Sequence, residues 1–332
     1  MKRRLAVLAI LISAVTLAPT VAAYLKNGGL VNGRLVSIKW SPFPVNYFVT
    51  NRDISGVSAV QLQGVLDRAF RSWANVPSLG ITAQFGGFVN LEPSVDDGVT
   101  VMGFQNRPEL DRVLGATRYQ FNNNQYVSAD IFFNSAFTWS VAQNGEGGRF
   151  DVESVALHEI GHLLGLGHSA LGETQPRVPP PGRDILGKRA VMFPIAYPRG
   201  NIEDRTLEAD DVSGITDIYS NSDTNRRLGS IAGKVTLNGA GLFGAHVTAF
   251  NSGTNALVGG FALNQQGDFV IGALEPGLYI VRVEPLDDAD IDSFFDPDTV
   301  VNINFKPAYY EKLVAVPAGG TSGTIEIKVQ SK

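Results

Sequence analysis

Apolar residues along the chain change their spacing in a way that separates helices from strands. After Ser58, Leu62, Val65, Leu66, Ala69, Phe70 and Trp73 recur at intervals that line one helix face. Ser58 and Gln61 form a capping box, so a helix is predicted to start there and to bury that face. PVNYFV, from Pro44 to Val49, precedes it as a predicted strand. ITAQF from Ile81, VTVMGF from Val99, GATRYQF from Gly115 and DIFFN from Asp130 follow as strands divided by Gly-, Asn- and Asp-rich turns. A second long helix is predicted from about Val152, with Asp151 as its N-cap.

The pattern changes beyond Ser220. SNSDTNRR is polar and unpatterned, which predicts a linker over 221–227. From 228 to 332 short alternating runs such as SIAGKVTL, AHVTAF, GDFVIGAL, GLYIVRVEP and GTIEIKVQ are broken by glycine turns, predicting an all-β sandwich. At the other end, MKRR, the apolar LAVLAILISAVTLA and the small residues of TVAA make an export signal over 1–23, with cleavage expected after Ala23. That run is short for a membrane anchor, and no later segment is suited to span a bilayer. The expectation is secretion, with the periplasm or cell surface as destinations of the same kind.

Composition narrows the chemistry. The 332 residues suffice for two ordinary domains, and 44% hydrophobic with 18% charged residues is a globular balance. No cysteine is present, which excludes disulfides, thiol catalysis and cysteine-held zinc. The net charge of −5 falls to about −8 once Lys2, Arg3 and Arg4 leave with the signal, which argues against a nucleic-acid partner. No oligomeric state follows from the pattern.

Three of the four histidines lie in HEIGHLLGLGH, from His158 to His168. On one helix His158 and His162 sit about 40° apart and one turn apart, so they can share a ligand; His168 would sit about 240° around from His162 and face away. The chain therefore has to turn, and Gly165 and Gly167 supply residues suited to it. Three imidazoles with an open fourth position form a catalytic zinc site, unlike the closed four-ligand sets of structural sites. Glu159 would project beside the metal as general base, taking a proton from zinc-activated water and passing it to a leaving amine. The full H-E-x-x-H-x-x-G-x-x-H spacing is far more specific than its first five positions, which a helix with core histidines could also produce.

FDVESVALHEIGHLLGLGHS resembles the active-site helix of the metzincin metallopeptidases, and most of all the matrixin branch. The resemblance spans about residues 40–220. It implies an α+β domain over 24–220, a twisted mixed sheet with long helices and one zinc ion in its cleft. AVMFP resembles the Met-turn, which implies Met192 beneath the zinc. LEADDVSGITDIYS resembles the closing helix, implying that Asp210 and Asp211 hydrogen-bond near that turn. VLGATRY resembles the edge strand, implying Gly115, Ala116 and Thr117 as main-chain partners of an extended substrate. Tyr197 stands too far past Met192 to match a tyrosine ligand and is left outside the metal set. The sheet region has no histidine for a second, structural zinc, and QPRVPPPGRDILGK forms an insertion expected to border the cleft.

In the remaining chain, His246 in GAHVTAF reads as a structural strand histidine. DDADIDSFFDPD, from Asp287 to Asp298, holds six aspartates and is a candidate calcium loop, although no glycine stands at the sixth position of an EF-hand count. The β region resembles the carboxypeptidase regulatory-like, transthyretin-like sandwiches, which are usually accessory. The reading is a secreted zinc metalloendopeptidase acting on proteins or peptides. The alternative is a secreted binding or adhesion protein that keeps the zinc site as scaffold. Every proposed catalytic residue precedes the linker, so removing 228–332 is expected to spare cleavage of short peptides. Tyr24 to Pro44 contains no Cys, His, Asp or Glu to occupy the zinc, so no zymogen lock is expected.

Overall fold

The computed structural model describes residues 25–31, 34–54, 56–94, 97–180 and 182–332. The expected signal over 1–23 lies outside them.

The capping box forms as its residues require. The Gln61 N–H donates to Ser58 Oγ at 3.1 Å and the Ser58 N–H to Gln61 Oε1 at 2.9 Å, starting helix α1, Ala59–Ala74. Its apolar face, including Leu62, Leu66, Phe70 and Trp73, is buried. The predicted strands settle as one five-stranded sheet in the order Ala83–Val89, Val45–Thr50, Val101–Gln105, Gln125–Asn134, Gly115–Asn122. The first four run parallel, and Gly115–Asn122 joins antiparallel at the edge. The sheet packs with α1 and α2, Val152–Leu163, around a single core that includes Trp73, Phe133, Trp139 and Leu157. That mixed sheet with its helices is an α+β arrangement.

Two hairpins occur where no strand was expected. Gly28–Val31 pairs with Arg34–Ser37, and Gly172–Pro176 pairs with Arg183–Lys188 inside the proline-rich insertion. The expected linker is also partly helical. Helix α3, Ala209–Tyr219, is followed at once by α4, Ser222–Arg227, where Asn221 Oδ1 accepts the Asp223 and Thr224 N–H groups at 3.0 and 2.9 Å. Asp223 in the first turn and Arg226 and Arg227 in the last suit the helix dipole, so this short helix rests on its cap and charges rather than on an apolar stripe.

Residues from Gly229 on form two more five-stranded sheets. One is built on Gly229–Leu237, which pairs parallel with Ile325–Ser331 and antiparallel with Asp268–Leu274. The other is built on His246–Asn251 between Ala256–Phe261 and Gly277–Glu284. Alternate residues of both sheets, among them Ile231, Val235, Val247, Ala249, Phe269, Val281 and Ile327, share one core. His246 is buried there, with Nδ1 3.1 Å from Glu284 Oε1.

This sheet pair does not hang free. α3 packs on Ala256–Phe261 and Asp268–Leu274, and a third apolar cluster joins Ala170 and Phe193 to Phe261, Leu286, Ala289 and Phe294.

Candidate active site

Helix α2 is held at its start by a buried charge cluster. Asp151 Oδ2 accepts the Ser154 N–H at 2.8 Å, and Arg205 grips the same carboxylate with Nη2 at 2.6 Å from Oδ1 and Nε at 2.9 Å from Oδ2. A two-pronged guanidinium contact of this kind fixes orientation as well as charge. The helix ends at the required break. Gly165 takes φ +106°, its N–H donates to His162 O at 2.9 Å, and the Leu166 N–H donates to Gly161 O at 3.0 Å, the paired bonds of a Schellman turn. A side chain there would be strained by that φ and would also come within 2.9 Å of Ile38 O.

The turn carries His168 back to its partners. His162 Nε2 lies 3.1 Å from His158 Nε2 and 3.2 Å from His168 Nε2. Each opposite nitrogen meets a main-chain carbonyl: His158 Nδ1 with Val191 O at 2.8 Å, His162 Nδ1 with Leu166 O at 2.8 Å, His168 Nδ1 with Ser293 O at 2.5 Å. A carbonyl can only accept, so each Nδ1 carries the proton and each Nε2 offers a lone pair. Burial keeps the rings neutral. Desolvation, then the neighbouring His168, brings His162 down to about 3, and burial depresses His158 and His168 as well.

Three lone pairs converging at this spacing repel one another unless a cation lies among them. Nitrogens about 2.0–2.1 Å from a tetrahedral centre stand about 3.3 Å apart, so both spacing and donor chemistry fit zinc. Among the described residues, these histidines are the group of three or more potential ligand side chains that converge.

Glu159 is buried next to the first histidine. The Thr117 hydroxyl lies 2.8 Å from Glu159 Oε2 and 2.9 Å from Glu159 O, so its one proton is shared between them. Burial pushes the carboxyl up to about 7, and the Thr117 bond opposes that rise. Gly115, Ala116 and Thr117 begin the edge strand, opposite Phe133, Phe132 and Ile131. A β-carbon on Gly115 would come within 3.2 Å of Glu159 Oε1, so the bare glycine leaves room at the carboxylate.

Met192 lies against α2, where a side chain on Gly161 would collide with its Sδ. Asp211 holds this turn from α3. Its Oδ2 accepts the Val191 N–H at 2.8 Å and its Oδ1 the Met192 N–H at 3.1 Å. Because Val191 O is the partner of His158, Asp211 acts on that ring through one residue. Asp210 accepts Ser169 Oγ–H at 2.6 Å and the Gly259 N–H of the C-terminal sheets at 2.7 Å. The resemblance implied that both aspartates hydrogen-bond near the Met-turn; Asp211 bonds the turn directly, and Asp210 bonds Ser169, whose N–H donates to Met192 O at 2.9 Å. Tyr197 lies under the Lys188 ammonium, 5.2 Å from its ring centre.

The acidic run is used for docking. Asp288 Oδ1 accepts the Thr174 N–H at 2.8 Å, Asp287 pairs with Lys332 at 3.1 Å, and Asp290 pairs with Arg112 at 3.3 Å. Sequence reasoning missed Ser293 and Phe294 as neighbours of His168. The apolar pair Phe294–Phe295 inside six aspartates was the available sign that this run is partly buried.

Part of the chain is similar to known proteins. Residues 39–174 match the model of the family Matrixin. Metalloendoproteinase 4-MMP of Arabidopsis thaliana is 29% identical over 59% of this chain and 51% of its own length, and Metalloendoproteinase 1-MMP of the same plant is 30% identical over 54% and 44%. Human Matrix metalloproteinase-20 is 26% identical over 54% of this chain and 32% of its own. The chain thus spans about half or less of the relatives it matches. The matched stretch, residues 39–174, holds the three-histidine group, so the similarity to the matrixin family covers the site.

Proposed function

We propose that the chain is a secreted zinc-dependent endopeptidase, with His158, His162 and His168 as ligands and Glu159 as general base. The observation that carries this reading is the set of three Nε2 lone pairs, each aimed inward by a carbonyl bound at Nδ1. Bound zinc would supply Lewis acidity, polarising the scissile carbonyl and lowering the pKa of water towards about 7.

The chain's own groups do the rest. Glu159 takes a proton from the attacking water as its oxygen bonds the carbonyl carbon, and returns that proton to the amine nitrogen as the C–N bond breaks. Thr117 holds the carboxylate, Asp211 supports the ring of His158 through Val191, and Met192 packs beneath the helix that carries it. The free edge of Gly115–Thr117 pairs with the extended substrate main chain. We assign 1–23 to an export signal, 24–220 to the catalytic domain and 228–332 to a regulatory-like β-sandwich. Among the described residues no helix is long and apolar enough to cross a membrane.

Glu159→Ala tests the reading. It should keep one equivalent of zinc by metal analysis yet lower turnover of an unfolded protein substrate by about 10²-fold or more. Turnover equal to the unaltered chain would sink the base assignment, and a chain that binds no zinc would sink the site.

A further inference from the structure

The connection from Glu284 to Phe305 is long and has only a 3₁₀ turn, Ile291–Ser293, of its own. Connections beyond about 12–15 residues without structure are uncommon in compact domains and are often functional. This one leaves the C-terminal sheets and reaches the zinc-type site. The Ser293 carbonyl accepts the His168 Nδ1–H at 2.5 Å, and the Phe294 ring stands 6.4 Å from the His168 ring at 80°.

We propose that Ser293 is a positioning residue of the metal site: its main-chain carbonyl, presented by the C-terminal sheets, fixes the third histidine. The inference rests on the metal-site reading above. The partners of the other two rings, Val191 and Leu166, belong to the amino-terminal part of the chain, whereas Ser293 lies 125 residues from His168. The ring partner that sets tautomer and orientation is worth about 10–100-fold in metal affinity where it has been removed from other sites. The site is therefore complete only when the C-terminal sheets are docked.

Two contacts seat the loop that carries the carbonyl. Phe294 is buried against Phe261, ring centres 5.8 Å apart, in the cluster that includes Ala170 and Phe193. Asp288 accepts the Thr174 N–H at 2.8 Å and the Thr174 hydroxyl through its carbonyl at 2.5 Å. Because the acting group is a carbonyl, a side-chain change at Ser293 would leave it in place, so the seat must be altered instead.

The test uses the full chain with Phe294→Ala, Phe294→Leu and, as control, Phe295→Ala, which packs on Phe243 and Phe261 but is not the residue beside His168. Zinc affinity is measured by competition with a chromophoric chelator, and the Nδ1–H resonances of the three histidines by long-range proton–nitrogen spectra of the zinc-loaded protein. Phe294→Ala should weaken zinc binding by about 10-fold or more and lose the His168 Nδ1–H signal while those of His158 and His162 persist. Phe294→Leu should recover most of both, and Phe295→Ala should resemble the unaltered chain.

Unchanged affinity and an unchanged His168 signal in Phe294→Ala would overturn the proposal. Equal loss at all three rings, or an equal loss in Phe295→Ala, would overturn it too, since the effect would then be general loosening. An unaltered chain that takes up no zinc would instead refute the metal-site reading beneath it.

Discussion

The side chain of Asp130, on the strand Gln125–Asn134, is buried, with Oδ1 accepting the Val101 N–H at 2.9 Å from the neighbouring strand. Burial outweighs that bond and pushes the carboxyl up to about 7 from an ordinary value of 3.8. The unfolded chain releases this proton first. The contribution to stability is therefore full below pH 3.8, declines as pH rises, and is lost above about 7. Asp130→Asn keeps the shape without the charge. It should match the unaltered chain in urea melts at pH 4 and exceed it at pH 9 by on the order of a few kcal/mol. Equal midpoints at pH 9 would contradict the assignment. At this scale the convergence of the three histidines was legible. His158, Glu159, His162 and His168 are spaced by helix and turn geometry that reaches only a few residues. Thr117 was singled out for its main chain, but the bond of its hydroxyl to Glu159 could not be read, because it depends on how the edge strand lies on α2.

Segments with a strong apolar period were predicted well, and those without one were not. The α1 capping box and the five strands of the first sheet follow from local codes that act within a few residues. The hairpins at Gly28–Ser37 and Gly172–Lys188 lack such a code, and α4 depends on its Asn221 cap. The segment before the first sheet strand packs against the end of α2 and its glycine turn. The Gly167 N–H donates to Leu25 O at 2.6 Å, the Asn27 N–H to Gly165 O at 2.9 Å, and Lys26 pairs with Asp217. Ile38 and Trp40 are buried, with Trp40 Nε1–H donating to Leu163 O at 2.9 Å. Trimming to Val45 should therefore cost about 3–6 kcal/mol of stability, seen as a lower denaturant midpoint, rather than release activity. Higher peptide turnover in a trimmed, equally stable chain would show that the segment is a block instead.

The two parts of the molecule meet at the site, which changes the expectation for the C-terminal sheets. The sequence reading had 228–332 dispensable for short peptides. Docked, these residues cover Phe193 and Ala170, donate the Gly259 N–H to Asp210 and place Ser293 on His168. A chain ending at Arg227 would leave Asp210 and the His168 Nδ1–H without these partners and expose an apolar patch. It should melt at lower temperature and hold zinc less tightly, measured by calorimetry and chelator competition. Equal melting and equal affinity would restore the view of an independent accessory unit. By itself the sequence determined the helix with its two histidines, the glycine turn that returns the third, the glutamate beside them and the run of strands that follows Gly229. Those features arise from backbone geometry and burial patterns within short stretches of chain. Only the tertiary structure decided that Asp210 faces Gly259, that the acidic run is a docking loop and that Ser293 meets His168. Such contacts join residues far apart in the chain, and their choice depends on how two packed surfaces fit, which no local spacing encodes.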